Sequence, residues 1–178
     1  MDIKYVPYRI KGRQFYQYTI IDENTRMRYL EWHDSIWVKT VVDVLKRSKT
    51  YFRFRIDSVQ TDNGIEFTFN YTAKLTAENK EPVEHPLDVY CKTARIRHKL
   101  IPPGEKEING KVERSHRTDD EEFYRRHAKF KSLNELRSHG LSWMNDYNFK
   151  RKHWGIGKIT PAQFRAERLK MFPDRILQ

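Results

Sequence analysis

A chain of 178 residues with 38% hydrophobic and 13% aromatic side chains has the length of one ordinary domain and enough apolar surface to bury a core, which excludes a disordered polymer. Its 35 Lys and Arg outnumber 24 Asp and Glu, and the resulting charge of +11 favours a polyanionic partner such as nucleic acid. The single cysteine, Cys91, excludes an intrachain disulfide and a cysteine-rich zinc site, and no apolar run reaches the roughly 20 residues that cross a bilayer, so a cytoplasmic protein with no membrane partner is expected.

The first third predicts strands at Asp2 to Tyr8, Gln14 to Ile21 and Met27 to His33, all rich in Tyr, Ile, Val, Phe and Trp. The short connections at Lys11-Gly12 and Asp22-Glu23-Asn24 imply an antiparallel meander. Ser35 then predicts an N-cap for a helix to about Lys49, with Trp37, Val41, Val44 and Leu45 along one stripe. Tyr51 to Gln60 resumes a strand pattern that ends at the turn signal Thr61-Asp62-Asn63-Gly64. Following a crossover helix, that strand should run parallel to a neighbour.

Residues 72 to 86 are polar with two prolines, which predicts an exposed insertion. A short helix over Leu87 to Thr93 and a strand over Arg95 to Leu100 follow, before Pro102-Pro103-Gly104 breaks regular structure. From Asn109 the pattern is helical to about His127. Ser132 with Glu135 has the spacing of a capping box, and Leu133, Leu136, Gly140, Met144 and Tyr147 line one face of the helix it opens. Thr160-Pro161 caps a last helix through about Lys170. The division this suggests is a core over residues 1–130 and a C-terminal helical extension over 131–178.

Phosphodiester cleavage requires stabilised charge on the attacking and leaving oxygens, and hard divalent cations held by carboxylates provide it. Such carboxylates stand on the first strand (Asp2), at the end of the parallel strand (Asp62) and on a late helix (Glu113), three elements able to converge on one sheet edge. Asp22 also follows a run of β-formers, but it falls in a turn expected at the far end from that edge.

Five segments, Asp2-Ile3-Lys4, Ile21-Asp22-Glu23-Asn24-Thr25-Arg26, Thr61-Asp62-Asn63-Gly64-Ile65-Glu66-Phe67, Pro102-Pro103-Gly104 and Asn109-Gly110-Lys111-Val112-Glu113-Arg114, together resemble the catalytic cores of transposases and retroviral-type integrases, bacterial insertion-sequence transposases above all. The resemblance implies an α/β, ribonuclease H-like fold with a five-stranded mixed sheet flanked by helices. It also implies Asp2, Asp62 and Glu113 as catalytic ligands of one or two Mg²⁺ or Mn²⁺ ions. DNA, both transposon ends and target, would be cut and joined by a homo-oligomer, with an end-binding domain upstream of Met1. A nuclease that only hydrolyses and a silent nucleic-acid-binding domain are the alternatives.

At helical spacing Glu113 shares a face with Asn109, His116 and Arg117, and Lys111 and Arg114 flank it, so DNA phosphates could lie there. His116 reads as a surface or capping histidine rather than a proton shuttle. Lys150, Arg151 and Lys152 form the densest basic run, beside His153 and Trp154, and are further candidates for DNA contact. Trp143 and Tyr147 are assigned to the core.

Overall fold

The computed structural model describes residues 1–70, 83–105, 110–127 and 129–173. The predicted meander is present as β1 (Asp2–Tyr5), β2 (Tyr16–Ile21) and β3 (Arg28–His33), with Asp2 opposite Thr19 and Tyr16 opposite His33. Because side chains alternate across a strand, Tyr18 and Ile20 of β2 join one apolar cluster while Gln17 turns to the opposite face. On β3 the buried positions are Arg28, Leu30 and Trp32. An arginine therefore shares the inward face with a leucine and a tryptophan.

Helix α1 spans Val38–Phe52 and differs from expectation at both ends. Ser35 does not cap it: the Ser35 carbonyl accepts the Tyr18 hydroxyl at 3.0 Å and its own hydroxyl turns to Asp34. The helix starts two residues later than expected, at Val38 behind Trp37, with no side-chain cap. It also takes Tyr51 and Phe52 from the predicted strand, since Phe52 extends the buried row of Val41, Val44, Leu45 and Ser48 at helical spacing. Arg53, in the left-handed region at φ 52, ends it. Only Ser58–Thr61 remains extended, as β4.

The predicted insertion at about 72–86 lies outside the described residues except for its last few, and Pro86 already opens α2 (Pro86–Thr93), capped by His85. β5 (Arg97–Leu100) pairs with β4 in parallel, as expected of a strand that follows a crossover. The meander and the parallel pair meet where the Met1 ammonium donates to the Gln60 carbonyl at 2.6 Å.

The helix expected from Asn109 is described from Gly110. Its first part, α3 (Gly110–Thr118), is regular, but Asp119–Tyr124 is a π-helical segment whose wider turn brings Asp119, Phe123 and Tyr124 all inward. Helix α4 (Leu133–Phe149) follows, with Ser132 accepting the Glu135 N–H. The other half of that box is displaced, because the Glu135 carboxylate takes the N–H of Lys131 at 2.6 Å. Thr160 and Gln163 form a complete capping box at the start of α5 (Pro161–Met171).

Two apolar clusters cover the two faces of the meander. Tyr18, Ile20, Val44, Leu45 and Phe52 pack under α1, and Leu30, Trp32, Phe123, Leu136 and Met144 pack beneath the π segment and α4. Gly140 lets α4 lie on β3: a Cβ there would meet the Trp32 ring at 2.2 Å. Trp143 and Tyr147 lie in this second layer as expected, Trp143 stacked on Phe123 and Tyr147 buried.

Candidate active site

Asp2 is the first residue of β1, with a side chain 17% exposed. Its Oδ1 accepts the Ile3 N–H at 2.8 Å. Burial above all, joined by the negative charges of Asp62 and Glu113, raises the carboxyl to about 6 against the pull of that N–H. Asp62 follows β4, and its Oδ1 accepts the Gly64 N–H at 3.0 Å, so the turn read from residue type is formed. Asn63 ties the turn to β5 by donating to the Ile101 carbonyl at 2.8 Å. Glu113 stands exposed in the first turn of α3.

Three elements thus bring carboxylates into one electrostatic neighbourhood centred on Asp2. Among the described residues no three His, Cys, Asp or Glu side chains are already grouped as a metal cage. The donors are nonetheless all hard oxygens, which suit Mg²⁺ or Mn²⁺. Mutual repulsion among them is the condition that a dication relieves.

Sequence reasoning missed the chain that holds the end of β4. The His98 Nδ1 lies 2.6 Å from Asp88, its Nε2 lies 2.9 Å from the Thr61 hydroxyl, and that hydroxyl donates to the Asp62 carbonyl at 2.9 Å. Helix α2, β5 and the backbone of Asp62 are thereby linked side chain to side chain.

His116 is a correction. It is neither a surface nor a capping residue: its side chain is 13% exposed, with Nδ1 3.5 Å from Asp2 Oδ2 and Nε2 buried without a partner. Burial drives its pKa down to about 4. Asp22 is a second correction, of position. Its carboxylate closes the β2–β3 turn by accepting the Thr25 N–H and hydroxyl at 2.8 and 2.6 Å. The turn is not remote, however, since Glu23 reaches Lys111 of α3 at 3.1 Å.

Beneath α3 lies a buried polar network that sequence reasoning did not find. The Arg28 guanidinium, fully buried, meets Asp119 at 2.6 Å and Ser115 at 3.2 Å, and lies 3.5 Å over the Tyr147 ring. Asp119 also accepts Gln17 and the Trp143 indole N–H, each at 2.7 Å, and Tyr124 links Gln17 to Trp32. The signal for half of it was strand alternation, which places Arg28 with Leu30 and Trp32.

The remaining basic candidates are dispersed. Lys111 and Arg114 flank Glu113 on the exposed side of α3, while Arg117 pairs with Glu121 and Lys150 with Asp146. Arg151 is bound in bidentate fashion by Glu122, and Lys152 is exposed. Asn109 lies outside the described residues. A cavity of about 520 Å³ opens between the Asp22–Thr25 turn, β4 and α5. Met1, Lys111 and Val112 line it, but none of the three carboxylates does.

The expected five strands are present, hydrogen-bonded as a three-stranded antiparallel sheet and a separate two-stranded parallel one rather than as a single mixed sheet, and with the flanking helices they give a fold of the ribonuclease H-like class. It superposes on the catalytic core domain of BIV integrase with a TM-score of 0.64, at 16% identity, over 96% of this chain and 95% of that one. On the HTLV-2 integrase catalytic core domain in complex with magnesium the TM-score is 0.67, at 12% identity, over 92% and 93% of the two chains. The integrase core domain family matches residues 1–106, and a second integrase core domain family matches residues 94–161. The chain belongs to the integrase core domain family, whose members are polynucleotidyl transferases. It is 30% identical over 176 residues to the integrase candidate encoded by ORF3 of Spiroplasma virus SpV1-C74, covering 92% of this chain and 46% of that protein. The chain therefore spans less than half the length of this relative. No helix among the described residues is long and apolar enough to cross a membrane.

Proposed function

We propose that the chain is the catalytic core of a DNA transposase or integrase, in which Asp2, Asp62 and Glu113 hold one or two Mg²⁺ or Mn²⁺ ions. The observation that carries the proposal is the placement of three carboxylates on separate elements, Asp2 on β1 with a largely buried side chain, Asp62 directly after β4 and Glu113 in the first turn of α3, near enough for the charges of the last two to bear on the first. Cations bound there would stabilise charge on the attacking and leaving oxygens of a phosphodiester. Water first frees a 3′ hydroxyl at the DNA end; that hydroxyl then attacks a target phosphodiester and displaces another 3′ oxygen.

The chain's own contribution is placement. Thr61, His98 and Asp88 fix the backbone of Asp62, and Ser115 and Asp119 hold α3 against Arg28. His116, neutral by burial, leaves the negative charge of the carboxylates uncancelled near neutral pH. Lys111 and Arg114 lie beside Glu113 to receive DNA phosphates, with Asn109, Arg117, Lys150, Arg151 and Lys152 extending that contact. The HTLV-2 core occurs as a dimer, and a homo-oligomer assembled on DNA in the bacterial cytoplasm fits the same reading. Residues 1–130 form the catalytic core and 131–178 an extension packed on it, as the insertion of Leu136 and Met144 among Trp32 and Phe123 supports.

Calorimetric titration with Mn²⁺ and a strand-transfer assay on duplexes with a pre-exposed 3′ hydroxyl test this together. Metal uptake and joined products are expected. Cleavage without joining would reduce the protein to a nuclease, and no metal uptake at the three carboxylates would refute the site.

A further inference from the structure

The segment from Tyr147 to Ala166 contains no carboxylate and five cations, Lys150, Arg151, Lys152, Lys158 and Arg165. In its middle the short 3-10 turn Trp154–Ile156 presents the Trp154 side chain 80% exposed. A single exposed aromatic is ordinarily unremarkable on a protein surface. This one differs because its loop is built to hold it.

The loop closes on itself: His153 N–H donates to Ile159 at 3.0 Å, and Lys158 N–H returns to His153 at 2.9 Å. Ile156 is buried beneath it, and His153 packs edge-on against Tyr147 at 4.5 Å. Gly157 and Lys158 both take positive φ, 82 and 61, a conformation that a non-glycine residue adopts only when its surroundings hold it there. That strained turn sets the Lys158 ammonium 3.9 Å over one face of the indole. Beside the indole, Gly155 carries no side chain, and a Cβ there would meet nothing within 4 Å. Among the described residues no carboxylate pairs with Lys152 or Lys158, whereas Lys150 and Arg151 are each engaged by one.

We infer that Trp154 is a stacking platform for an unpaired nucleobase, with Lys152 and Lys158 taking the adjoining phosphates. A flat ring with one face free, backed by an ammonium and flanked by uncommitted cations, matches a base on its phosphate chain. Bases within a duplex have both faces covered by their neighbours, so the platform selects single-stranded or frayed ends. An apolar protein partner fits less well, because the cations around the ring would have to be desolvated without counter-charges. This inference rests on the reading of DNA as substrate, but on residues outside the three carboxylates.

The test compares a blunt labelled duplex with the same duplex carrying a short single-stranded tail, by fluorescence anisotropy with the whole chain. Wild type should bind the tailed DNA about tenfold more tightly. W154A should lose that preference while keeping its affinity for blunt duplex, and W154F should retain most of it. Tailed DNA should also quench the part of the indole emission that W154F lacks. K158A should weaken binding to both DNAs and reduce the dependence of log affinity on log salt by about one unit. Equal binding of both DNAs by wild type, or an undiminished preference in W154A, overturns the platform alone. Failure of wild type to bind either DNA overturns the substrate reading along with it.

Discussion

The helix that follows Gly110 contrasts with itself. Its first part, Gly110–Thr118, buries only Val112 and Ser115 and leaves Lys111, Glu113, Arg114 and Arg117 in solvent. The continuation, Asp119–Tyr124, sinks Asp119, Phe123 and Tyr124 into a layer of aromatic rings, with every Asp119 contact supplied from another element. One carboxylate-bearing segment keeps its charges at the surface, and the next pairs its buried carboxylate with a buried guanidinium. The difference teaches where exposure and stability are invested: Glu113 can stand in solvent because Asp119, six residues on, anchors the helix.

The largest expected effect breaks the first half of that contrast. Asp62→Asn or Glu113→Gln should remove nearly all metal-dependent cleavage, more than the roughly 10–100-fold typical of losing an outer-shell partner, with an unchanged circular dichroism spectrum. Substantial residual cleavage would show that chemistry lies elsewhere.

Asp119→Ala breaks the second half. It strands the buried Arg28 guanidinium, and the expected loss is about 3–5 kcal/mol in urea denaturation. A loss below about 1 kcal/mol, the scale of an exposed pair, would mean that Arg28 finds water or another partner. Gly140→Ala probes the neighbouring seam without touching charge: the new methyl would drive into Trp32, costing about 1–3 kcal/mol, and cleavage by the folded fraction should persist.

Asp22→Asn sharpens the comparison between the two aspartates that follow β-forming runs. Having no part in chemistry, Asp22 should lose only part of its turn, about 1 kcal/mol, with cleavage retained.

The smallest effect concerns Glu31, a carboxylate that is partnered rather than crowded. Although burial pushes it up, hydrogen bonds from His33, Arg47 and Tyr29 hold it down at about 2. A carboxyl depressed on folding stabilises the protein fully above its unfolded value near 4.5 and loses that contribution as pH falls toward 2. The stability gap between wild type and Glu31→Gln should therefore narrow across that window. A gap independent of pH there would count against the charged hub.

What could be read from the sequence was what repeats locally. The alternation of β2 and β3, the turn at Asp62-Asn63-Gly64, the buried row of α4 and the Thr160 cap all follow from residue type at short spacing. The candidate carboxylates Asp2, Asp62 and Glu113 were named from motif alone. The Arg28–Asp119 pair was hidden because its partners are far apart in the chain and Asp119 opens the run Asp119-Asp120-Glu121-Glu122, in which nothing local distinguishes the buried member. His116 was misjudged for a similar reason: its burial is imposed by Asp2 and Lys4, more than a hundred positions earlier. The helix boundary at Phe52 was lost to propensity, since Tyr, Phe and Ile at 51–56 read as strand until α1 supplies a face for them to cover.

The π segment has one further consequence, in terms of angular phase. Successive residues of a regular helix advance by about 100° around its axis, so the one extra residue that a π turn accommodates resets which way everything beyond it points. The direction in which Glu113 projects and the direction in which Phe123 and Tyr124 project are therefore set independently. Excising a single exposed residue such as Glu121 would restore a uniform helix and rotate one set by about 100° against the other, leaving no orientation in which both the carboxylate and the aromatic anchor keep their places.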